Sequence, residues 1–402
     1  MSTLRCNING AEVSCPPGTT ILEAARENGI HIPSLCYLKN VNKLGACRVC
    51  VVEVEGMPRL MPSCITQVKD GMVIRTDTER VIASRRESLD LICKRHRMDC
   101  EYCPDYTFCE LHAVVRELGL DDRKYSEIYH ERTADESSKS IVRDNSKCIR
   151  CRRCVSTCKA QGIEAISTLF RGENTYNGAL LPIAETDCNG CGQCVRNCPT
   201  GALFVKDDTD LLWRALNNKK KLVFGIAPEI ASGISRFFGA KTERSELGKL
   251  TTVLKKCGAS AVYDLTGLRE AALHGITGEA TVCPAHVKPE IRHAEPLDQL
   301  FREKIPETER EADDLFTVYV SGCTAYKREP HCDAVLTTTE LFAFIQRACV
   351  SRFTTLDVWE KAGETIPKRL FPDGEITADV RYACPGGCEH GGGQFRTQGY
   401  QK

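Results

Sequence analysis

An α+β chain of several domains is what this sequence predicts, and three observations lead there. Most of the 25 cysteines in the 402-residue chain fall into closely spaced groups before residue 200. The first eighty or so residues alternate like strands around one helical segment. From about Leu222 onward, apolar runs of strand length alternate with helical periods, as in α/β folds with a partly parallel sheet. The length allows a sizeable core and suggests two or three domains.

Cysteine at this density in a long chain points to metal ligation, since disulfide scaffolds are short and secreted. The start, "MSTLRCNING", lacks a basic segment followed by an apolar run, so no signal peptide is expected. No apolar stretch approaches the roughly 20 residues of a membrane span. The chain is therefore expected to be cytoplasmic, with no membrane contact of its own. Lysine plus arginine and aspartate plus glutamate both number 54, so the formal charge is zero and nothing global favours nucleic acid. The local run "NNKKKL" at 217–222 reads as a solvated linker or helix end, with a docking patch for an acidic carrier protein as the alternative.

At the N-terminus, "TLRCNINGAEVSC" and "CVVEVEG" read as strands, and "TTILEAARENG" as a helix with Thr19 or Thr20 near its N-cap and Gly29 near its C-terminus. Cys36, Cys47, Cys50 and Cys64 follow, with ten, two and thirteen residues between them. Strand pair, helix, cysteine loop and strand is the order of a ferredoxin-type β-grasp domain. The plant-type spacing opens with only four intervening residues. The longer spacing resembles the N-terminal [2Fe-2S] domain of the large iron-sulfur subunit of respiratory complex I and its hydrogenase relatives.

Next comes "HRMDCEYCPDYTFC", placing His96 at the end of a helix, with Cys100, Cys103 and Cys109 after it. Three thiolates and an imidazole suit zinc as well as an iron-sulfur cluster, so these residue types leave both open. Following such a [2Fe-2S] domain, the spacing resembles the His-ligated [4Fe-4S] site of the same subunit family. Imidazole in place of thiolate should raise its potential.

A repeat supplies the most specific signal. "CIRCRRCVSTC" holds Cys148, Cys151, Cys154 and Cys158; "CNGCGQCVRNCP" holds Cys188, Cys191, Cys194 and Cys198. In this C-x2-C-x2-C-x3-C arrangement the fourth cysteine of each run serves the other cluster. One [4Fe-4S] cluster is then expected on Cys148, Cys151, Cys154 and Cys198, the other on Cys188, Cys191, Cys194 and Cys158. Pro199 follows the second run, whereas Lys159 follows the first.

In the final third, "ATVCPAH", "SGCTAYKRE" and "ACPGGCEHGGGQ" carry Cys283, Cys323, Cys384 and Cys388. The order of all these elements resembles the catalytic subunit of modular, multi-cluster [FeFe]-hydrogenases. In that family three such loops hold a [4Fe-4S] unit bridged to a diiron site bearing CO and cyanide. The resemblance implies those four cysteines as ligands of a last [4Fe-4S] cluster. The family's proton-passing cysteine is Val282 here, its cyanide-gripping lysine is Tyr326 with Lys327 beside it, and the segments before Cys283 and between the second and third loops are short. A truncated hydrogenase-like domain without the diiron subcluster is the expectation. Glycines around Cys384 and Cys388 would let the backbone approach a cluster closely.

The expected layout is a [2Fe-2S] domain over 1–79, a His/Cys3 [4Fe-4S] domain over 80–125, a 2[4Fe-4S] ferredoxin domain over 126–212 and a hydrogenase-like domain over 213–402. Cofactors are one [2Fe-2S] and four [4Fe-4S] clusters. Cys6, Cys15, Cys93, Cys257, Cys332 and Cys349 remain as buried apolar side chains. With neither a Rossmann glycine fingerprint nor a P-loop, the chain is expected to act as an electron-transfer subunit. The resemblance implies as partners a flavin and NAD(P)H-binding subunit, a small [2Fe-2S] subunit, ferredoxin and a separate hydrogenase or other terminal oxidoreductase, with electron bifurcation. An active [FeFe]-hydrogenase and a complex-I-like respiratory subunit are the alternatives.

Overall fold

A computed structural model of the chain describes residues 3–103, 106–126, 128, 134–230, 233–234, 243–265, 278–281, 292–293, 296–310, 313–328, 330–348, 368–369 and 378–380. Its first unit is a five-stranded mixed sheet. Strands β1 (Leu4–Ile8), β2 (Ala11–Cys15), β3 (Val51–Val54), β4 (Met61–Pro62) and β5 (Met72–Arg75) lie in the order β2-β1-β5-β3-β4. The β1–β2 and β3–β5 pairs are antiparallel, and β1 runs parallel to β5. Alternation works as period-two patterning dictates: Cys6, Ile8, Val13 and Cys15 point inward, with charged neighbours outward. Helix α1 (Ile21–Glu27) begins at Thr20, whose hydroxyl accepts from Glu23 N while the Glu23 carboxylate accepts from Thr20 N, a capping box. It buries Ile21, Leu22, Ala24 and Ala25 on this sheet. Gly29 follows at positive φ, as the sequence places it.

Helix α2 (Glu79–Cys93) is capped by Thr78 and ties the sheet to the next segment. Buried Arg85 on α2 donates through Nε and Nη2 to the carbonyl of Val51, the residue after Cys50. Segment 80–125 also shares one apolar core with the cysteine loop of the first unit: Leu35, Cys36, Cys47 and Val49 pack with Leu89, Leu111, Val115 and Tyr125.

The third unit carries the short strands β6 (Ala134–Asp135), β7 (Ile141–Asp144), β8 (Ser167–Leu169), β9 (Tyr176–Gly178) and β10 (Leu203–Val205), with one sheet ordered β10-β7-β6 and a separate β8–β9 hairpin. Helices α3 (Glu110–Glu117) and α4 (Arg123–Ser126) precede it, and its own two helices, α5 (Arg153–Ala160) and α6 (Gln193–Arg196), are built on the cysteine runs.

Helix α7 (Thr209–Asn217) leads into the last unit. The lysine run marks the end of α7 and the entry to β11 (Lys221–Ile226), so its helix-end reading holds. With β12 (Ala259–Asp264), β15 (Leu315–Val320), β16 (Ala334–Leu336) and β17 (Lys368–Arg369), β11 forms a sheet ordered β16-β15-β11-β12-β17. Every pair in it is parallel. Central β11 is a nearly continuous apolar run, as a strand covered on both faces requires. Strands β13 (Gly278–Thr281), β14 (Arg292–His293) and β18 (Ala378–Val380) pair separately in parallel. Helices Glu243–Lys256, Leu297–Lys304 and Thr338–Ala348 accompany the five-stranded sheet. Among the described residues no helix is long and apolar enough to cross a membrane.

Candidate iron-sulfur sites

Cys36, Cys47, Cys50 and Cys64 are all buried on the loop edge of the first sheet. The Cys36 thiol stands within hydrogen-bond reach of Cys47 and Cys64, and Cys50 within reach of Cys64. Those mutual contacts pull the Cys36 thiol down and push those of Cys47 and Cys64 up. Four sulfurs so crowded cannot all ionise unless a metal cation lies among them. Arg48, between Cys47 and Cys50, takes φ of 58°, a left-handed conformation that turns successive amides toward one point. Ser63 donates from Oγ to the Cys50 carbonyl at 2.7 Å, fixing the approach of Cys64.

His96 is buried just beyond the C-terminus of α2. Its Nδ1 donates to the Lys147 carbonyl at 3.0 Å, which puts the ring's lone pair on Nε2. A ligating imidazole is ordinarily fixed by such a bond to a backbone carbonyl. Cys100 opens a single 3-10 turn, Cys100–Tyr102, that Cys103 caps, and Cys109 is the N-cap of α3. Burial pushes the Cys100 thiol up to about 11 and that of Cys109 up to about 12, with the other sulfurs of this group adding to both.

In the dicluster region Cys148, Cys151, Cys154 and Cys198 line one cavity together with Arg143, Ile149, Pro199 and Leu203. Three come from the first cysteine run and Cys198 from the second. Burial, then the charge of neighbouring Cys191, Cys188, Cys154 and Cys158, raises the Cys194 thiol. The two runs therefore cross over. The two halves repeat in backbone as well: α5 is entered through Arg152 at φ 65°, α6 through Gly192 at φ 71°. Gly190 holds φ of 71°, and a Cβ there would meet Ser140 Oγ at 2.6 Å, so contact as well as conformation favours glycine there. Arg150 and Arg152 take the corresponding conformation in the first run without that freedom.

Arg143 was not evident from the motif spacing. It is buried, its guanidinium lies 4.4 Å from the Tyr176 ring centroid, and its Nη1 has no hydrogen-bond partner. A buried guanidinium nitrogen with no partner, on a cavity lined by four cysteines, fits an anionic occupant such as a thiolate-ligated cluster. It packs on Gly178, where a Cβ would overlap it.

Polar contacts join these sites. Asn42, buried, donates from Nδ2 to the carbonyls of Cys36 at 2.6 Å and Cys151 at 3.1 Å, and accepts from Ser156 Oγ at 2.7 Å. Lys147, preceding Cys148, connects His96 and Cys103 to the first cysteine run. Thr324, following Cys323, donates from Oγ1 to the Gly190 carbonyl at 2.6 Å.

Cys323 is buried at the C-terminal end of β15, where open parallel sheets place their sites. Its N-H donates to Ser321 Oγ at 3.1 Å, and Ser321 Oγ donates at 2.7 Å to Oε1 of buried Glu229, which also accepts from Gly322 N. Cys283, Cys384 and Cys388, with Val282, lie outside the described residues. Tyr326 is buried edge-on against Tyr319, with ring centroids 5.0 Å apart. Neighbouring Lys327 is held by Asp208 at 2.6 Å and Glu340 at 2.8 Å. It is committed to that ion pair. Of the cysteines expected to remain without iron, Cys6, Cys15, Cys93, Cys257 and Cys332 are buried, and Cys349 lies outside the described residues.

Residues 2–79 match the 2Fe-2S iron-sulfur cluster binding domain family, and residues 141–205 the 4Fe-4S dicluster domain family. The chain is 38% identical over 278 residues to the NADP-reducing hydrogenase subunit HndD of Solidesulfovibrio fructosivorans, covering 66% of this chain and 47% of that protein. To a subunit of the NADH-quinone oxidoreductase of Rhizobium meliloti it is 35% identical over 209 residues, 50% of this chain and 24% of that one. It thus spans about half the length of the first relative and a quarter of the second. These two relatives are subunits of an NADP-reducing hydrogenase and of an NADH-quinone oxidoreductase. Iron hydrogenase 1 of Clostridium pasteurianum is 30% identical over 387 residues, 85% of this chain and 67% of that protein. By its match to this last relative, of which it spans 67%, the chain belongs to the iron hydrogenase family.

Proposed function

We propose that the chain is the iron-sulfur electron-transfer subunit of a cytoplasmic, multisubunit, electron-bifurcating NAD(P)-linked complex, and that it performs no hydrogen chemistry of its own. It would relay electrons between a flavin and NAD(P)H-binding subunit, ferredoxin and a terminal oxidoreductase, with a small [2Fe-2S] subunit completing the entry side. The observation that carries this reading is the set of polar contacts between ligand loops, Cys36 to Cys151 through Asn42, His96 to Cys148 through Lys147, and Cys191 to Cys323 through Gly190 and Thr324, with Cys198 of the second cysteine run lying on the cavity of the first.

Bound iron-sulfur clusters supply one-electron transfer without bond making. The proposed ligand sets are Cys36, Cys47, Cys50 and Cys64 for [2Fe-2S]; His96, Cys100, Cys103 and Cys109; Cys148, Cys151, Cys154 and Cys198; Cys188, Cys191, Cys194 and Cys158; and Cys283, Cys323, Cys384 and Cys388, each for [4Fe-4S]. Among the described residues most of these cysteines are buried, and Lys147 Nζ and His112 N donate toward the sulfurs of Cys103 and Cys109. The absence of a diiron site is supported by Val282 and Tyr326 in the positions of a proton-passing cysteine and a cyanide-gripping lysine, and by the commitment of Lys327 to Asp208 and Glu340.

The test is to produce the chain together with the hydrogenase maturation machinery. No infrared bands of iron-bound CO or cyanide and no hydrogen evolution from reduced methyl viologen are expected. Such bands, or hydrogen evolution well above that of a Cys388→Ser control, would overturn the proposal in favour of an active hydrogenase.

A further inference from the structure

Lys147 is buried between the His96 group and the first cysteine run of the dicluster region, and its carbonyl and its ammonium touch different parts of the boundary. Its carbonyl accepts from His96 Nδ1 at 3.0 Å and from Thr200 Oγ1 at 2.8 Å. Its Nζ donates to Cys103 Sγ at 3.3 Å and lies 3.2 Å from Asp99 Oδ1. Its own C-terminal neighbour is Cys148. Asp99 is shared with Arg97 Nε at 3.0 Å, and Arg97 in turn reaches Asp144 at 3.2 Å.

We infer that Lys147 is a positioning residue that sets the reduction potential of the cluster held by His96, Cys100, Cys103 and Cys109, raising it through its ammonium and its N-H to sulfur bond while orienting the imidazole ligand. The inference rests on the ligand assignment proposed above. Reduction adds a negative charge to a cluster, so a cation beside a ligating sulfur favours the reduced state, and burial leaves that attraction little screened by solvent. The replacement of one thiolate by His96 acts in the same direction. Lys147 thereby reinforces what the ligand set alone begins. Asp99 opposes it, because it draws part of the same ammonium charge away from Cys103. Asp99 also lowers the potential through its own negative charge, whatever Lys147 does, so it is the Lys147 variants that separate a tuning lysine from a merely structural one.

The experiment is an anaerobic redox titration of the full chain followed by electron paramagnetic resonance, comparing the native protein with Lys147→Met, Lys147→Arg, Asp99→Asn and His96→Cys. Lys147→Met should lower the midpoint of one cluster by at least tenfold in its reduction equilibrium, which is about 59 mV for a one-electron couple. Lys147→Arg should restore most of that shift, and Asp99→Asn should move the same midpoint upward. His96→Cys should lower that same midpoint, identifying the cluster. If His96→Cys shifts a midpoint but Lys147→Met does not, the role of Lys147 is refuted and the ligand assignment survives. If His96→Cys leaves every midpoint unchanged, the ligand assignment fails and the inference falls with it. Should Lys147→Met assemble poorly, Lys147→Gln decides in its place: a midpoint that stays or rises overturns the inference.

Discussion

Replacing Lys327 by methionine tests the packing around Cys323 most directly. The Lys327 side chain is 0% exposed, Glu340 is 8% exposed and Asp208 is 22% exposed. Glu340 Oε1 also accepts from Asp208 N at 2.7 Å, and its Oε2 accepts from Thr337 N and Oγ1. Methionine keeps the length of the lysine stem but removes the charge, leaving the Glu340 carboxylate buried with neutral donors only. Breaking one partner of a buried ion pair costs about 3–5 kcal/mol. With a urea m-value of about 2 kcal/mol/M, the midpoint should fall by about 1.5–2.5 M. Trp213 on α7 stacks 5.0 Å from Phe344, on the helix that carries Glu340, so its fluorescence in anaerobic urea melts reports this region. The loss has a definite pH dependence. Burial raises the Glu340 carboxyl above its ordinary value and Lys327 draws it back; without Lys327 it rises further. A carboxyl whose folded pKa lies above its unfolded one binds a proton on folding, so the deficit is greatest above the folded pKa and shrinks on acidification. Adding Glu340→Gln should recover much of the stability by removing the stranded charge. An unchanged midpoint, or a deficit that grows as pH falls, would refute this account.

Further expectations concern the metal content and the junction between sites. Anaerobic analysis of fully loaded protein should give about 18 iron atoms per chain and no zinc, while about 14 would mean that the Cys323 site is empty and stoichiometric zinc would claim the His96 group. Asn42→Ala removes donors from the carbonyls of Cys36 and Cys151 and the acceptor of Ser156. It should destabilise by about 1–3 kcal/mol and slow electron exchange between the [2Fe-2S] site and the first dicluster site, read by rapid freeze-quench resonance spectroscopy. Unchanged exchange would show that Asn42 only packs.

The cysteine spacings were legible in the sequence because ligation by short loops is local: two or three intervening residues suffice to turn the backbone around a cluster. The N-cap at Thr20, Gly29 past the helix, the lysine run at a helix end and the strand-helix alternation after Leu222 were legible for the same reason, since capping and patterning act within a few residues. Tertiary structure decided what lies between the sites. Asn42 and Cys151 are separated by more than a hundred positions, as are Lys327 and Asp208, and no spacing rule relates them. Arg143, Lys147 and Asn42 are ordinary polar letters in the sequence; only folding strips them of water and leaves their hydrogen bonds to be made with ligand loops or with the cavity those loops enclose. The sequence by itself thus determined which side chains are candidates to hold iron, because ligand chemistry is a property of residue type and local spacing. Which groups surround each site was decided only by the fold, because burial and the pairing of distant polar atoms depend on how the units pack.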